Sequence, residues 1–298
     1  MPIAEAIEVA ADALRAISAC QGQYPPRMRV ELAHGDALVM PGYDGQRHFG
    51  VKVVTVHPGN AARAKPGTRA SYLLIDADDG EPALLCDGTA LTALRTGAAS
   101  GLATRRLALA DAAVLTMFGA GGQARAQVEA VCAARKITDV HVVSRDAERA
   151  DAFIASLRAG FPHLRVDRAK AEEAVTRAQV IVTATNSRSP VLMADWVRPG
   201  SHINAIGSYT PDMCELDPAL LAHATVFVDQ RAAALDGAGE IGAAIRMGLI
   251  KSDALVELGQ AREKERRTNH EITVFKTVGH AALDLFTALE LLRRATRE

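Results

Sequence analysis

Hydrophobic residues recur every three or four positions at both ends of the chain, as expected for amphipathic helices. In residues 1–19 they stand at Ile3, Ile7, Ala10, Leu14 and Ile17. In residues 279–297 they stand at Ala282, Leu285, Phe286, Leu289 and Leu292. The pattern predicts a helix in each segment, and we expect the C-terminal helix to return to the first domain.

Between residues 27 and 90 the pattern changes to short β-rich runs. These runs cover residues 37–40, 49–56, 72–76 and 83–86. Turn-forming residues separate them at 42–45 and 78–80. An Ala-rich segment with helical spacing follows at residues 91–109 and should bridge to the next unit. The first third of the chain is therefore predicted to be a helix with a mostly antiparallel sheet.

From residue 112 onward, strand-like runs alternate with helical segments. The apolar runs are 114–118, 140–143, 180–183, 203–206, 226–228 and 272–275. Helix-length segments at 124–135 and 147–159 separate the first three runs. This alternation predicts an α/β fold with a Rossmann-type, doubly wound parallel sheet. We place that domain at residues 112–275 and assign residues 1–111 with 276–298 to a discontinuous α+β domain.

Composition narrows the classes of protein that fit this fold. The 298 residues carry a net charge of -1, and no dense basic run suggests a nucleic-acid partner. The four cysteines are far apart, so neither a disulfide framework nor a metal site is expected. No apolar run approaches the ~20 residues of a membrane span, and acidic residues near Met1 do not fit a signal peptide. We expect a cytoplasmic protein.

The segment after the first parallel strand has the spacing of a phosphate-binding loop. It reads G-x-G-x-x-A, with Gly119, Gly121 and Ala124 at the marked positions and Gly122 and Gln123 between them. Small residues there allow a tight turn, close approach of a pyrophosphate and close helix–strand packing. Free amide groups at the start of the helix would bind the phosphates. The alternative is a turn that needs small residues and binds nothing.

The end of the second parallel strand indicates which nicotinamide cofactor is used. NAD sites usually have an acidic residue here for the ribose 2′-hydroxyl, whereas this chain has Ser144 and Arg145. A hydroxyl and a guanidinium suit a 2′-phosphate, so we expect NADP(H), with NAD(H) the less favoured cofactor. Asp146 comes too late for the ribose and could cap the next helix. Arg145 could instead be an ordinary solvated charge.

Three cations in the first third of the chain lie in unusual settings. Lys52 interrupts an apolar strand, and its neighbours in phase, Val54 and Val56, suggest that it points into a pocket. Arg27 follows two prolines, and Arg95 lies in a helix of small residues. Cations of this kind suit an acidic substrate, with arginine binding a carboxylate and lysine acting as charge or proton donor. Taken singly, each could be a structural ion-pair partner.

Several segments together resemble the ornithine cyclodeaminase/μ-crystallin family, and the resemblance covers nearly the whole chain. They are Gly50-Val-Lys-Val-Val, His57-Pro-Gly-Asn60, the run from Asp87 to Ala99, Phe118-Gly-Ala-Gly-Gly-Gln-Ala124, Thr183-Ala-Thr-Asn186, Ile203-Asn-Ala-Ile-Gly207 and Val274-Phe-Lys-Thr-Val-Gly279. The combination is far more specific than any single motif.

The resemblance implies a homodimer whose first domain forms the interface, and chemistry at carbon–nitrogen bonds of small α-amino or α-imino acids. By position, Arg27, Lys52 and Arg95 match the groups that handle the substrate carboxylate and a proton. Further matched positions imply cofactor contacts at Thr183, Ala184, Thr185 and Gly207. Gly279 would begin the loop that approaches the nicotinamide.

One departure from the family pattern distinguishes between its members. Cyclodeaminases and alanine dehydrogenases of this family have an aspartate two residues before a proline, whereas this chain has Tyr209 before Pro211. A phenol with a reference pKa of ~10 is a poor base near neutrality. The Ser-Tyr-Thr-Pro-Asp-Met version resembles the ketimine reductases. Tyr209 could deliver a proton, or its ring could only pack against a ligand.

We therefore expect reduction of Δ1-pyrroline-2-carboxylate, or of its six-membered homologue Δ1-piperideine-2-carboxylate, to the L-amino acid with NADPH. The first alternative is an ornithine cyclodeaminase or an open-chain amino acid dehydrogenase. The second is an NADPH-binding crystallin-like protein without catalysis. Ring size and physiological direction stay open at this point.

Overall fold

The computed structural model describes residues 1–63, 65–261 and 265–296, and within them the chain forms two β-sheets flanked by helices. Neighbouring strands of the first sheet all pair antiparallel, in sequence order. Its strands are β1 (Met28–Leu32), β2 (Gly35–Tyr43), β3 (His48–Val56), β4 (Thr68–Asp76) and β5 (Pro82–Asp87).

The second sheet is parallel throughout and has the strand order β12-β11-β13-β10-β9-β6-β7-β8. Its strands are β6 (Val114–Phe118), β7 (Asp139–Val143), β8 (Arg165–Arg168), β9 (Val180–Thr183), β10 (His202–Ala205), β11 (Ala224–Val228), β12 (Val256–Glu257) and β13 (Ile272–Lys276). Strand order reverses between β6 and β9, which is the Rossmann switch point. The predicted α/β fold, with one Rossmann sheet and one antiparallel sheet, is confirmed.

The α-helices of the described residues contribute to several hydrophobic cores. They are α1 (Ile3–Ser18), α2 (Gly88–Leu107), α3 (Ala124–Ala134), α4 (Ala147–Gly160), α5 (Ala171–Arg177), α6 (Pro218–Leu221), α7 (Arg231–Gly237), α8 (Gly239–Arg246) and α9 (Ala281–Ala295). Helices α1, α2 and α9 share one core with Phe227 and Phe275 of the parallel sheet. Helix α9 also packs Leu285 and Ala288 against Tyr72 and Leu74 of the antiparallel sheet. The C-terminal helix thus packs on the first sheet. No helix in the described part of the chain is both long and apolar enough to cross a membrane.

Three strands were missing from the sequence prediction, and all lie at sheet edges. All five residues of β1 are exposed, with Arg29 and Glu31 between its apolar positions. In β8 only Val166 is buried, and β12 has two residues. An edge strand has one neighbour and needs little apolar surface, so its sequence lacks the pattern of a central strand.

The turn predicted at residues 42–45 is also wrong in its position. Strand β2 continues through Gly42 and Tyr43, which pair with Gly50 and Phe49 of β3. The chain turns after Asp44, whose side chain accepts hydrogen bonds from the amides of Gln46, Arg47 and His48. A Cβ at Gly42 would lie 3.0 Å from the Tyr24 ring. That glycine therefore makes room for an aromatic side chain and does not mark a turn.

Candidate active site

The glycine-rich loop joins the carboxyl end of β6 to the start of α3. Gly119 has φ +98°, and a Cβ there would lie 2.5 Å from the Ala184 carbonyl oxygen. A Cβ on Gly121 or Gly122 would meet no atom within 4 Å, because both face open space. The amides of residues 120–123 donate no hydrogen bond to any residue that the structure describes. Such a ring of free donors at a helix N-terminus fits a pyrophosphate.

Two further features of this loop fit the dinucleotide. Ala124 is fully buried, so the start of α3 lies close to the sheet. The Gln123 Oε1 atom is buried without a partner in the structure, which leaves an acceptor for a ligand group. The arrangement therefore suits a nicotinamide dinucleotide.

A cavity of about 700 Å³ lies beyond the end of β7. Ser144 and Arg145 line it together with Arg168 and Lys170. Asp146 caps α4 by accepting from the Arg149 amide, as the sequence predicted. The cavity is thus rich in cations at the place where a Rossmann fold holds the adenosine ribose.

Residues 183–185 and Gly207 are joined by a buried carboxylate that the sequence analysis did not identify. Glu215 accepts hydrogen bonds from the Thr185 amide at 2.6 Å and the Gly207 amide at 2.7 Å. It also accepts from the Thr183 and Thr185 hydroxyls and the Ser208 amide. Both predicted cofactor loops are therefore fixed at one point, with the Thr183 hydroxyl directed at Glu215.

The residue before Tyr209 is fixed by a buried ion pair. Lys276 Nζ lies 3.2 Å from Glu240 and donates to the Ser208 carbonyl at 2.6 Å. The Ser208 hydroxyl donates to Glu240. The backbone at Ser208, next to Tyr209, is therefore fixed by hydrogen bonds to two buried charged side chains.

The three predicted cations lie near one carboxylate and the turn that precedes it: Lys52 and Arg95 both contact Asp284, and Arg27 contacts Val278. Lys52 Nζ donates to the two carboxylate oxygens of Asp284 at 2.8 and 2.7 Å, and Arg95 Nε donates to the same carboxylate at 2.9 Å. Lys52 is 1% exposed and Asp284 is fully buried. The side chain of Lys52 therefore points inward, as the alternation of residues along its strand predicted.

Arg27 and Tyr209 lie on the other side of the turn at 278–279. Arg27 Nη2 donates to the Val278 carbonyl at 3.1 Å, and its guanidinium lies 5.7 Å from the centre of the Tyr209 ring. Gly279 has φ +83°, and a Cβ there would be 3.1 Å from both terminal nitrogens of Arg95. Both guanidinium groups therefore lie next to this turn.

Asp229, at the end of β11, fixes this turn. Its carboxylate accepts from the amides of Val278 and Gly279 at 3.2 and 3.0 Å and from the Thr277 hydroxyl. A non-glycine residue at 279 would be strained in addition to crowding Arg95. The position of the arginines thus depends on backbone that Asp229 holds.

Burial dominates the electrostatics of the cluster. It lowers the pKa of Lys52 to about 8, with Arg95 lowering it further and Asp284 opposing the shift. Burial also lowers the pKa of His280. Since His280 Nδ1 accepts from the Ala282 amide, the ring is neutral. Burial and the nearby Asp284 raise the pKa of Tyr72.

Sequence reasoning found the cations of this site but missed its carboxylates. Asp284, Asp229, Glu215 and Glu240 are fully buried, and each bonds to residues distant in the chain. One signal was available for Asp284, which stands on the apolar side of a predicted amphipathic helix. No group of His, Cys, Asp and Glu suited to a metal ion is present in the described residues.

The switch-point loop, its free amides and the cationic cavity after β7 define a dinucleotide-binding Rossmann protein. Over residues 1–298 the sequence matches the ornithine cyclodeaminase/mu-crystallin family, and the chain belongs to that family. The resemblance predicted from the motifs is thereby confirmed.

Individual relatives are similar over nearly their full lengths. A Delta(1)-pyrroline-2-carboxylate reductase of Bacillus cereus is 40% identical over 299 residues, covering 98% of this chain and 92% of the relative. Among solved structures, the Thermococcus litoralis Delta(1)-pyrroline-2-carboxylate reductase in complex with NADH and L-proline has TM-score 0.94 at 33% identity, covering 100% and 94%. An archaeal alanine dehydrogenase dimer with bound NAD has TM-score 0.91 at 33% identity, covering 100% and 92%.

Proposed function

We propose that this protein reduces a cyclic α-imino acid, Δ1-pyrroline-2-carboxylate or Δ1-piperideine-2-carboxylate, to the L-amino acid with NADPH. It is a nicotinamide-dependent oxidoreductase that acts on carbon–nitrogen bonds, as its family and its reductase relatives indicate. The substrate and the choice between the two cofactors are the proposed parts.

The observation that carries the proposal is the charge of the cluster around the turn at 278–279. Lys52, Arg95 and Arg27 supply three positive charges, and Asp284 and Asp229 supply two negative ones. Among these five side chains one positive charge is left over, which one substrate carboxylate would neutralise; the exposed Asp236 is a further carboxylate near Arg27. A monocarboxylic imino acid has the charge that this site lacks.

In this mechanism the arginines hold the substrate carboxylate from two sides of the turn. The terminal nitrogens of Arg95 make no hydrogen bond within the described residues, because its contact to Asp284 uses Nε. They are therefore available for a bidentate contact. Lys52 supports the carboxylate and supplies a proton to the ring nitrogen. The bound nicotinamide cofactor would supply the hydride.

Preference for NADPH is supported by the cations that line the cavity after β7. Four cations border it together with the Ser144 hydroxyl and two carboxylates: Arg145, Arg168, Lys170 and Arg177, against Asp167 and Glu173. A 2′-phosphate would gain charge-assisted hydrogen bonds there, whereas a 2′-hydroxyl would gain little. The two solved relatives hold NADH and NAD, so this part of the proposal separates our protein from them.

Absence of a carboxylate at position 209 argues against ammonia-handling chemistry. The Tyr209 ring lies beside Arg27, and Asp212 is exposed and paired with Arg188 at 3.2 Å. Asp212 therefore does not replace the missing aspartate. An alanine dehydrogenase is nevertheless among the similar structures, so open-chain substrates belong in the test.

The test is a panel of substrates with purified protein, followed by nicotinamide absorbance and mass spectrometry of the product. We expect L-proline or L-pipecolate from the cyclic imines, with kcat/KM for NADPH about tenfold or more above that for NADH. Ammonia release from L-ornithine without net cofactor use would identify a cyclodeaminase. Amination of a keto acid would identify a dehydrogenase, and cofactor binding without turnover a crystallin-like protein. Equal use of both cofactors would refute the NADPH preference.

A further inference from the structure

Asp284 is the only carboxylate of the described residues that contacts both Lys52 and Arg95, which come from different elements. Lys52 lies on β3, Arg95 on α2, and Asp284 in the first turns of α9. In sequence, Asp284 is 232 residues from Lys52 and 189 from Arg95. All three side chains are buried.

From this arrangement we propose that Asp284 is a positioning residue, which holds Lys52 as an ammonium and turns the terminal nitrogens of Arg95 toward the substrate. The assignment rests on the proposed imine reduction, because it gives Asp284 a role through the two cations of that reaction.

The contact geometry supports the proposal that Asp284 orients the guanidinium of Arg95. Arg95 uses Nε on Asp284, so the plane of its guanidinium is fixed and its terminal nitrogens face Gly279. Without the carboxylate, Arg95 and Lys52 would repel each other across the space that Asp284 fills. A guanidinium held by one edge loses less freedom on binding a carboxylate with the other.

The charges around Lys52 support the other part of the proposal, that Asp284 holds Lys52 as an ammonium. Besides Asp284, the groups near Lys52 are Arg95 on α2, Arg27 before β1 and Tyr72 opposite it on β4. His280, the N-cap of α9, lies near Asp284 and Arg95. Arg95 and Arg27 disfavour an ammonium, and Tyr72 and His280 are neutral. Asp229, on the far side of the turn, is engaged by backbone amides. Asp284 is thus the anion that keeps Lys52 charged.

The experiment compares Asp284→Asn with the unmodified enzyme across pH, using one cyclic imine so that the ionisation of the substrate is common to both. A buried ammonium is lost as pH rises through its pKa, so activity that needs it has an alkaline limb. Replacing the carboxylate lowers the pKa of Lys52, and we expect the limb of kcat/KM to move down by about one pH unit or more. Asp284→Glu, which restores the charge, should return the limb toward its original position.

Two controls separate this role from a structural one. NADPH affinity, measured by fluorescence titration, should change less than about twofold, since Asp284 hydrogen-bonds to Lys52 and Arg95 and to no described residue of the glycine-rich loop at 119–124. Glu240→Gln removes another buried carboxylate that faces a buried lysine, Lys276, and should leave the position of the alkaline limb unchanged. If the limb stays in place in Asp284→Asn, or moves equally in Glu240→Gln, the assignment is wrong.

A direct titration of Lys52 keeps the assignment independent of the proposed reaction. The carbon next to Nζ, labelled with ¹³C in lysine and identified by its loss in Lys52→Met, reports the protonation of Lys52 by NMR. We expect a lower titration midpoint in Asp284→Asn than in the unmodified protein. A shifted midpoint in a protein that reduces no imine would refute the proposed function and keep the electrostatic role of Asp284. An unshifted midpoint in an active reductase would refute the role of Asp284.

Discussion

Burying a charged side chain in this protein costs free energy, and the contacts of that side chain only partly offset the cost. Lys52 and Asp284 are both almost inaccessible to water, and removing one partner of such a pair typically costs 3–5 kcal/mol. Apolar side chains of similar volume would fill the same space at equal or lower free energy. A role in the reaction explains this buried ion pair beside two arginines better than a contribution to folding stability does.

At Lys52 we predict that Lys52→Met reduces the kcat of imine reduction about 100-fold or more, because a proton donor contributes 10²–10⁴ to rate. Methionine keeps the length of the side chain, so the buried space stays filled. NADPH binding by fluorescence should be retained. Lys251→Ala, which removes an exposed lysine, is the control and should keep full activity. Full activity in Lys52→Met would show that Lys52 is structural.

At Arg145 we predict a change in cofactor preference. Arg145→Ala should raise the KM for NADPH about tenfold or more and leave that for NADH nearly unchanged, since a lost charge-assisted hydrogen bond costs ~1.5–3 kcal/mol. Arg149→Ala is the matched control, because Arg149 is an exposed arginine paired with Asp146. The test is to measure the KM for NADPH and for NADH by steady-state kinetics. Equal increases for NADPH and NADH would mean that Arg145 does not contact a 2′-phosphate.

Among secondary-structure elements, those with a buried apolar face were predictable from sequence. Helices α1 and α9 have a clear period because one side meets the core, and strands β6 and β9 are short apolar runs because both of their faces are buried. The short helices α5 to α8 have too few buried residues to set a period, and edge strand β1 alternates apolar and polar residues over only five positions, none of them buried. Their formation depends on neighbours that a local pattern does not contain.

The candidate site was predictable where its residues break a local pattern. A lysine in an apolar strand and glycines at a strand–helix junction are visible in a short window, and they led to Lys52 and Gly119. Their partners were not visible, because Glu215 contacts Thr185 across 30 residues and Asp284 contacts Lys52 across 232. Pairing at such separations is set by strand order, which the sequence pattern left open.

For the loops after β9 and β10, we predict that Glu215→Gln is destabilising. Both carboxylate oxygens accept from donors, so either orientation of the amide would face an N–H or O–H group. A loss of about 3 kcal/mol or more is expected, with a Tm lower by several degrees and weaker NADPH binding. Glu129→Gln, in the exposed ion pair with Arg125, should leave Tm nearly unchanged. An unchanged Tm for Glu215→Gln would contradict this account.

Across the whole molecule, the two sheets meet at the site. Four residues separate the end of β13 from the start of α9, which then packs on the antiparallel sheet, so Gly279 and Asp284 connect the two layers. We propose that the chain divides into two domains, residues 112–275 and residues 1–111 with 276–298. Lys52, Arg95 and Asp284 would then belong to one domain, and Tyr209 and Asp229 to the other. Closure of the domains would change the distance between Arg27 and Tyr209.

The outer face of the antiparallel sheet is apolar and exposed. Strand register places Met28, Val30, Leu32, Val53 and Leu85 on this face, opposite to the face that carries Lys52 and Tyr72. Leu85 is 74% exposed and Met28 61%. Contiguous apolar surface of this kind marks an interaction site in most proteins. We propose that this face forms the interface of the homodimer that the resemblance to the family implies.

If the outer face joins two copies of the chain, a charge placed on it should separate them. We predict that the double variant Val53→Asp, Leu85→Asp is a monomer at concentrations where the unmodified protein is a dimer, as measured by light scattering after gel filtration. Two buried, unpaired carboxylates per subunit would cost several kcal/mol, enough to raise the dissociation constant at least about a thousandfold. Met247→Asp, at an exposed apolar residue after α8, should leave the dimer intact. A double variant that stays dimeric would place the interface elsewhere on the molecule, and an unmodified protein that is monomeric would refute the dimer itself.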